Sequence, residues 1–350
     1  ALIEYVNVAG GSAWADLRRS HGYPEPWGVK YWCLGNEMDG PWQTGQKSAR
    51  DYAVLARETA KALRLIDPEA QLIACGSSHE RMPTFGEWER VVLEEAWDHI
   101  DYLSLHAYYE PGADDSVLLE SGHSMDQFIR GVIATADAVK ARKASTTDMM
   151  LAFDEWNVIH PDTFGPQVGD WVDAGSPLIE GEYSPLDAVV VGDLLTTLLQ
   201  HVDRVRIAAI AQLVNVLAPI MTTPQGATRQ TIFHPFAVLS TTADGTVLRG
   251  ALETPQLPSD RFGAIPGLNT AAVLSADGTT LTLSAVNRSL TDPLPLTVDT
   301  TALGADVVPV ERIWMTSGNP LPQVGGSDLA DNPLPPASWT VQRYTIGRAC

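Results

Sequence analysis

VKYWCLGNE, residues 29–37, joins an apolar, aromatic strand pattern directly to an amide and a carboxylate. Nearly continuous apolar residues are typical of a strand in a parallel sheet that helices cover on both faces. Asn36 and Glu37 follow where that strand should end. In α/β barrels, functional side chains lie at the carboxyl ends of the strands. This stretch therefore predicts a βα unit that carries a functional glutamate.

The same alternation of strand and helix recurs through the first 220 residues. Ser48, Ser124 and the pair Ser184-Pro185 each resemble a helix N-cap, and each precedes an amphipathic run. A shorter helix is predicted over residues 87–98. The predicted strands are Val29–Gly35, Gln71–Cys75, Asp101–Leu105, Met149–Phe153 and Val205–Leu213. Five βα units predict either a (β/α)₈ TIM barrel or a doubly wound sheet.

Polar residues at several strand ends favour the barrel. His106 follows the third strand, Asp154 and Glu155 follow the fourth, and Gln212 lies at the end of the fifth. A doubly wound nucleotide-binding sheet would carry a glycine-rich phosphate loop after a strand, and none is found. We therefore predict a barrel and expect no cofactor.

The pattern changes near residue 240, where short alternating strands separated by turn residues replace the helices. The candidate strands include TVLRGAL, AAVLS, TLTLSAVNRS, LPLTVDT, VVPVERIWM and SWTVQRYTI. Such spacing is typical of an all-β sandwich. We predict a partial catalytic barrel over residues 1–235 and a jelly-roll-like β-sandwich over residues 236–350.

The barrel is expected to be incomplete in this chain. Eight strands are needed and only about five are recognised, while the opening segment ALIEYVNVAGG is a helix pattern with no strand before it. We expect the first three βα units, roughly 150 residues or more, to precede this segment in the whole protein. A second chain that completes the barrel is the alternative.

The charge and composition of the chain disfavour several classes of binding partner. The formal net charge of −20 disfavours nucleic acid and anionic membranes, which would be repelled over most of the surface. No run approaches the ~20 apolar residues of a membrane span. The three cysteines show no zinc-site spacing, no HxH or HExxH pattern occurs, and we expect no metal. The low, odd cysteine count favours a reducing compartment, the cytoplasm.

Glu37 and Glu155 are the residues that could carry chemistry together. Glycoside hydrolysis needs one carboxyl group that donates a proton and one carboxylate that attacks carbon or activates water. Two strands of one barrel can present such a pair from opposite walls. The alternative for a single strand-end glutamate is a solvated or ion-paired side chain.

The segments KYWCLGNEMDGPWQTG, LIACGSS, DYLSLHAYY, LAFDEWNV and IAQLVNVLAPI, in that order, resemble the α-L-arabinofuranosidases of glycoside hydrolase family 51. The resemblance extends over nearly the whole chain. It implies a clan A barrel followed by a β-sandwich, an arabinose-containing oligosaccharide or polysaccharide as substrate, and retention of configuration. Homo-oligomers are common in that family, so a homo-oligomer is one expectation for this protein.

By position, the resemblance implies that Glu37 is the acid/base and Glu155 the nucleophile. It implies that Asn36 bonds the sugar 2-hydroxyl and that Trp42 forms an aromatic wall. The resemblance places His106 and Tyr108 next to the nucleophile, with Tyr108 as the direct partner of Glu155, although the sequence alone does not distinguish Tyr108 from Tyr109. It implies that Gln212 contacts the sugar. Asp154 is expected to be structural, bonded to neighbouring backbone. The loop of residues 161–182 is expected to overhang the active face.

We expect burial and the charge of the nucleophile to raise the pKa of Glu37, so that it stays protonated for the first step. Two alternatives remain. The same pair could serve a β-xylosidase or an endo-β-glucanase, or the chain could be an inactive sugar-binding fragment that lacks the first strands.

Overall fold

In the computed structural model, which describes residues 1–112, 114–161, 179–327 and 332–347, the first part of the chain forms a five-stranded sheet. The order is β1-β2-β3-β4-β5, and the pairings of β1 with β2 and of β2 with β3 are parallel. The bounds are β1 Tyr31–Cys33, β2 Gln71–Ala74, β3 Tyr102–Tyr109, β4 Met150–Val158 and β5 Val205–Ile210. All five predicted strands are therefore confirmed, and they form half a barrel sheet.

Helices α3 to α7 connect these strands, α1 and α2 precede β1, and α8 follows β5. The bounds are α1 Leu2–Asn7, α2 Ala13–Ser20, α3 Ala49–Ile66, α4 Glu87–Ala96, α5 Asp115–Leu119, α6 Ser121–Lys143, α7 Pro185–Gln200 and α8 Phe233–Thr242. The hydroxyls of Ser48 and Ser184 accept the expected backbone N–H groups and cap α3 and α7. The predicted cap at Ser124 is wrong, because α6 already begins at Ser121. No helix in the described ranges is both long and apolar enough to cross a membrane.

The C-terminal region is rich in β-structure, as predicted. Its main sheet has six strands in the order β14-β13-β15-β12-β11-β8, and β6 pairs with β7 and β9 with β10. The bounds are β6 Ile220–Thr223, β7 Gly226–Arg229, β8 Gly245–Leu248, β9 Gln256–Ser259, β10 Gly263–Pro266, β11 Leu268–Ser275, β12 Thr280–Asn287, β13 Val307–Thr316, β14 Asn319–Gly325 and β15 Ser338–Ile346. LPLTVDT forms only an isolated bridge from Leu294 to Leu334, so that predicted strand is wrong.

The chain divides into two compact units. The first contains residues 1–107, 128–155 and 203–208, and the second contains residues 108–127, 156–202 and 209–350. The predicted boundary at residues 235 and 236 stays a prediction.

In the first unit, an aromatic pair fixes the ends of β1 and β2. The rings of Tyr52 on α3 and Trp88 on α4 stack with centroids 5.4 Å apart. The Tyr52 hydroxyl accepts the backbone N–H of Cys75 at 2.7 Å and donates to the carbonyl of Leu34 at 3.3 Å. One buried phenol therefore ties the carboxyl ends of both strands to the helix layer.

In the second unit, α7 lies directly against the six-stranded sheet. A Cβ atom at Gly192 would come within 2.4 Å of the Trp339 ring, so only glycine allows this close approach. Asp193, on the next position of α7, forms a buried ion pair with Arg288 at 2.8 Å. Their side chains are 1% and 3% exposed, and Asn269 donates a further hydrogen bond to Asp193.

We expect Asp193→Ala to lower the free energy of unfolding by about 3–5 kcal/mol, because it leaves the Arg288 charge buried without a partner. Denaturant titration of the whole protein measures this loss. The control is Glu311→Ala in the same unit, where Glu311 and Arg343 are both about a third exposed; this change should cost at most ~1 kcal/mol. Equal losses would contradict the assigned role of the buried pair.

Candidate active site

A cavity of about 180 Å³ lies within the first unit, where the carboxyl ends of β1 to β4 meet. Its walls combine small and apolar residues with polar side chains, most of which lie within β3 and β4. The lining residues are Cys33, Gly35, Asn36, Ile73, Cys75, Ser104, His106, Asp154 and Glu155. Ligand sites of parallel α/β sheets occupy this position.

Glu37, His106 and Glu155 converge beside this cavity. One carboxylate oxygen from each glutamate and a ring nitrogen of His106 all lie within 4.8 Å of one another. His106 Nδ1 lies 3.2 Å from Glu37 Oε1 and 3.6 Å from Glu155 Oε2. One imidazole therefore contacts two glutamates that are far apart in sequence, Glu37 and Glu155.

The separation of the two carboxylates bears on stereochemistry. Carboxyl groups ~5–5.5 Å apart are typical of retaining glycosidases, whereas inverting enzymes need ~6.5–9.5 Å to admit a water molecule. The spacing of Glu37 and Glu155, under 4.8 Å between one oxygen of each, fits the shorter class. The Glu37 side chain is 11% exposed and that of Glu155 is 28% exposed.

His106 is surrounded by negative charge. Its Nε2 lies 3.4 Å from Asp154 Oδ1, on the opposite side of the ring from the two glutamates. Burial alone would lower the pKa of His106, but hydrogen bonds to Asp154 and Glu37 and the charge of Glu155 raise it to about 10. The imidazole is therefore a cation at neutral pH.

The direction of the Glu37 pKa contradicts the expectation from sequence. Burial raises this pKa, but hydrogen bonds from His106 and Trp42, the charge of His106 and a hydrogen bond from Gln43 together lower it below its ordinary value. Burial and the neighbouring carboxylate can be expected from sequence, whereas the imidazole between the two glutamates follows only from the fold. The two opposite pKa shifts favour an ion pair between cationic His106 and the Glu37 carboxylate.

Asp154 also differs from expectation, because side chains distant in sequence form hydrogen bonds with its carboxylate. Its carboxylate accepts the Ser104 hydroxyl at 2.7 Å and the Cys33 thiol at 3.4 Å. Burial and the charge of Asp154 raise the pKa of the Cys33 thiol to about 12, so the thiol keeps its proton and donates. Sequence reasoning did not single out Cys33 or Ser104. Asp154 thus holds the far side of the His106 ring.

The other predicted site residues are distributed between the two units. Asn36 lines the cavity, and the exposed Trp42 donates its indole N–H to Glu37 Oε2. Tyr108, near the end of β3, and Gln212, after β5, belong to the second unit. The backbone N–H of Gln212 bonds the Leu217 carbonyl at 3.0 Å. Most of the loop of residues 161–182 lies outside the described residues.

Among the residues that the structure describes, the three converging side chains are also the group that could hold a metal. Two carboxylates and an imidazole form a ligand set suited to a divalent cation. His106 Nδ1 already forms a hydrogen bond with Glu37 Oε1 and lies 3.6 Å from Glu155 Oε2, so a cation would compete with a proton on His106. The expected absence of a metal stays a prediction.

We expect His106→Asn to lower the melting temperature of the whole protein most at low pH. A His whose pKa rises from 6.5 to about 10 on folding contributes stability that is complete below pH 6.5. That contribution is lost as the pH rises through about 10. Melting curves of the variant and the parent between pH 6 and 10 should therefore converge as the pH rises.

The control for this experiment is His234→Asn. Burial and Arg229 lower the pKa of His234, so its proton is absent from both folded and unfolded chains at high pH. The melting-temperature difference for this control should stay constant above pH ~7.5. A constant difference for His106→Asn as well would contradict the cationic state of His106.

Family models of two kinds match most of the chain. The model described as "Alpha-L-arabinofuranosidase C-terminal domain" matches residues 154–332, about half of the chain. The model described as "Alpha-L-arabinofuranosidase 1 domain" matches residues 1–126.

Curated relatives are similar over most of this chain but are longer than it. An intracellular exo-α-(1→5)-L-arabinofuranosidase of Halalkalibacterium halodurans is 47% identical over 301 residues, 85% of this chain and 60% of that protein. One with the same name from Streptomyces lividans is 49% identical, over 91% of this chain and 48% of that protein. An exo-α-(1→6)-L-arabinofuranosidase of Bifidobacterium longum is 48% identical, over 83% and 57%. The chain thus spans about half to three fifths of these relatives.

Solved structures agree with these matches. A family 51 α-L-arabinofuranosidase from Bifidobacterium longum superimposes with a TM-score of 0.88 at 36% identity, covering 98% of this chain and 73% of that one. The arabinose complex of an α-L-arabinofuranosidase from Thermotoga maritima gives a TM-score of 0.78 at 26% identity, with 98% and 72% coverage.

Proposed function

The chain belongs to the α-L-arabinofuranosidases of glycoside hydrolase family 51, and from this premise we propose that it forms part of a retaining exo-glycosidase. This enzyme releases terminal α-L-arabinofuranosyl residues from arabinose-containing oligosaccharides or polysaccharides. The observation that carries the proposal is the convergence of Glu37, Glu155 and His106 within 4.8 Å.

In the first step, Glu155 attacks the anomeric carbon of the arabinofuranoside. The new bond joins its carboxylate oxygen to C1 with inversion, while the bond from C1 to the leaving oxygen breaks. Glu37 donates its proton to that oxygen, so the leaving group departs as a neutral alcohol. The products of this step are a glycosyl ester on Glu155 and an ionised Glu37.

In the second step, the Glu37 carboxylate takes a proton from water. The resulting hydroxide equivalent attacks C1, and the ester bond to Glu155 breaks with a second inversion. The two inversions give net retention, and both glutamates return to their starting states. Attack at C1 from both directions requires the two carboxyl groups to lie close to one anomeric centre, as the spacing of Glu37 and Glu155 allows.

The proton that Glu37 donates has a nearby source in His106. Their atoms are 3.2 Å apart, and the low pKa of Glu37 belongs to the state in which His106 is cationic. Transfer of that proton along the hydrogen bond gives a neutral imidazole and a protonated Glu37 without exchange with water. The pair then titrates as one unit rather than as two independent groups.

The remaining predicted site residues receive binding roles in this proposal. Asn36 bonds the sugar 2-hydroxyl, a contact that strengthens in the transition state. Trp42 covers one face of the site beside Glu37, while Tyr108 and Gln212 keep the binding roles that the resemblance implies.

We further propose that residues 1–235 belong to a (β/α)₈ barrel and residues 236–350 to a jelly-roll-like β-sandwich. The five-stranded half-barrel sheet, the six-stranded C-terminal sheet and the greater length of the relatives support this division. Several relatives are named intracellular, which supports a cytoplasmic location. Assembly into a homo-oligomer remains part of the proposal.

The test uses the whole protein with matched aryl glycosides. We expect release of the aryl group from an α-L-arabinofuranoside at least ~10³-fold faster than from a β-D-xylopyranoside, or about 4 kcal/mol in transition-state binding. A chelator should leave the rate unchanged if no metal takes part. Faster release from the xyloside, or binding of the arabinoside without hydrolysis, would overturn the proposal.

A further inference from the structure

The turn that carries Glu37 has a strained backbone. Glu37 has a φ of +45°, in the left-handed region that side chains other than glycine rarely adopt. Such a conformation costs of order 1–3 kcal/mol and persists only where the surroundings enforce it. The N–H of Gly40 closes the turn by donating to the Glu37 carbonyl at 2.8 Å. One local hydrogen bond of this kind contributes about 1 kcal/mol, so further restraints are needed.

Asp39, two residues after Glu37, supplies a long-range restraint. Its Oδ2 accepts the backbone N–H of Ser78 at 3.1 Å, and its Oδ1 accepts the Ser78 hydroxyl. Asp39 is 5% exposed and Ser78 is 4% exposed, so water does not compete well for these bonds. Both carboxylate oxygens are therefore engaged by one residue of the loop after β2.

That loop is itself anchored. The fully buried Glu89 on α4 accepts the N–H of Ser77 at 2.8 Å and that of Gly86 at 2.7 Å. The N–H of Gly76 donates to the Ser104 carbonyl on β3 at 3.0 Å. A Cβ at Gly76 would lie 2.2 Å from that carbonyl oxygen, so the approach requires glycine. Ser78 thus projects from a fixed support.

The same loop reaches the Glu37 side chain by a second route. Trp42 donates its indole N–H to Glu37 Oε2, and the Trp42 ring stacks on His79 with centroids 6.2 Å apart and planes 13° from parallel. The loop therefore restrains the backbone beside Glu37 through Ser78 and the Glu37 carboxyl group through His79.

We propose that Asp39 is a positioning residue, which clamps the Glu37 turn to the loop after β2 and so aims the acid/base at the leaving oxygen. This inference rests on the proposed function. Asp39 acts through the backbone and not on the substrate, because both of its carboxylate oxygens accept hydrogen bonds from Ser78. A displacement of ~1 Å at a catalytic group can cost ~10²-fold in rate.

The clamp should affect proton donation more than nucleophilic attack. Glu155 lies on β4, and the contacts of Asp39 described above reach only the turn and the loop after β2. A substrate with a poor leaving group needs the proton from Glu37, whereas a dinitrophenyl group departs without it. The two substrates therefore separate loss of positioning from general damage.

The test is Asp39→Asn in the whole protein, because an amide nitrogen cannot accept one of the two Ser78 hydrogen bonds. We expect kcat/KM for an alkyl arabinofuranoside to fall ~10²-fold, while kcat/KM for the dinitrophenyl arabinofuranoside stays within ~3-fold. The dependence of log kcat/KM on leaving-group pKa should become steeper. Ser78→Ala removes one of the two hydrogen bonds. It should lower kcat/KM for the alkyl arabinofuranoside by about 10-fold or less and make the dependence on leaving-group pKa steeper to a smaller extent.

Asp277→Asn is the matched control, because Asp277 also accepts a serine hydroxyl and a backbone N–H, from Ser275 and Thr279. This control should leave kcat/KM unchanged for both substrates. Equal losses on both substrates in Asp39→Asn, with an active parent, would overturn the clamp and leave the proposed function intact. If Asp39→Asn fails to fold, the selectivity of Ser78→Ala decides the matter. A parent that hydrolyses neither arabinofuranoside would instead overturn the proposed function.

Discussion

Glu155→Ala is expected to reduce kcat on every arabinofuranoside by about 10⁵-fold, because it removes the carboxylate that forms the glycosyl ester. Removal of a catalytic nucleophile in well-studied hydrolases costs ~10⁴–10⁶-fold. Glu155 lies within β4, three residues before its end, 3.6 Å from the His106 imidazole and within 4.8 Å of Glu37. Initial rates with a dinitrophenyl arabinofuranoside, which needs no proton donor, isolate this step.

A small anion offers a second readout for this variant. Azide can occupy the space that the Glu155 carboxylate leaves and attack C1 once, so the glycosyl azide should have the inverted, β configuration. Glu58→Ala, at an exposed glutamate on α3, is the control and should be as active as the parent. Residual activity above ~1% without azide would contradict the role of Glu155 as nucleophile.

Glu37→Ala is expected to lower kcat/KM for alkyl arabinofuranosides and oligosaccharides by about 10²–10⁴-fold, the usual contribution of a general acid. The first step with a dinitrophenyl leaving group should be nearly unaffected, because that group departs as an anion. Measured with both substrates, the ratio of losses reports proton donation and not binding.

The second step of Glu37→Ala should be slow as well, because Glu37 is also the base that activates water. Glycosyl-enzyme should therefore accumulate with the dinitrophenyl substrate and give a burst of released phenol. Azide should restore turnover and yield the azide of retained, α configuration, the opposite of the Glu155→Ala product. Equal losses on both substrate types, or an inverted azide, would contradict the assignment of Glu37.

The sequence predicted those features of the fold that depend on local pattern. The strand β15 and the caps of α3 and α7 follow from alternation and from a serine ahead of an amphipathic run. Ser124 has the same local pattern but lies within α6, where its hydroxyl accepts a hydrogen bond from Arg261. Local pattern could not reveal that a partner 137 residues away uses this serine.

The same limit explains the strand that was predicted wrongly. LPLTVDT alternates apolar and polar residues, but its leucines pack as single side chains against a core cluster with Leu268, Ala285 and Leu334. Its backbone makes one bridge, at Leu294, rather than a ladder. Alternation indicates which side chains are buried, and a neighbouring strand decides whether a ladder forms.

In the site, sequence reasoning identified the groups but not their charges. Glu37, His106 and Glu155 were all candidates, because each follows a strand. The structure adds that His106 bridges the two glutamates and that Asp154 supports it from the other side. The direction of the Glu37 pKa depends on that bridge, and it could not be predicted without the register of three strands. The clamp from Asp39 to Ser78 joins two loops, so it could not be predicted from sequence either.

The most direct test of the central claim, that Glu37 and Glu155 act in turn on one anomeric carbon, is the configuration of the methanolysis product. The whole protein is incubated with an aryl α-L-arabinofuranoside in aqueous methanol, and the methyl glycoside, which cannot mutarotate, is identified by proton NMR. The spacing of the two glutamates predicts methyl α-L-arabinofuranoside. Methyl β-L-arabinofuranoside would contradict the double displacement and with it the roles assigned to both residues.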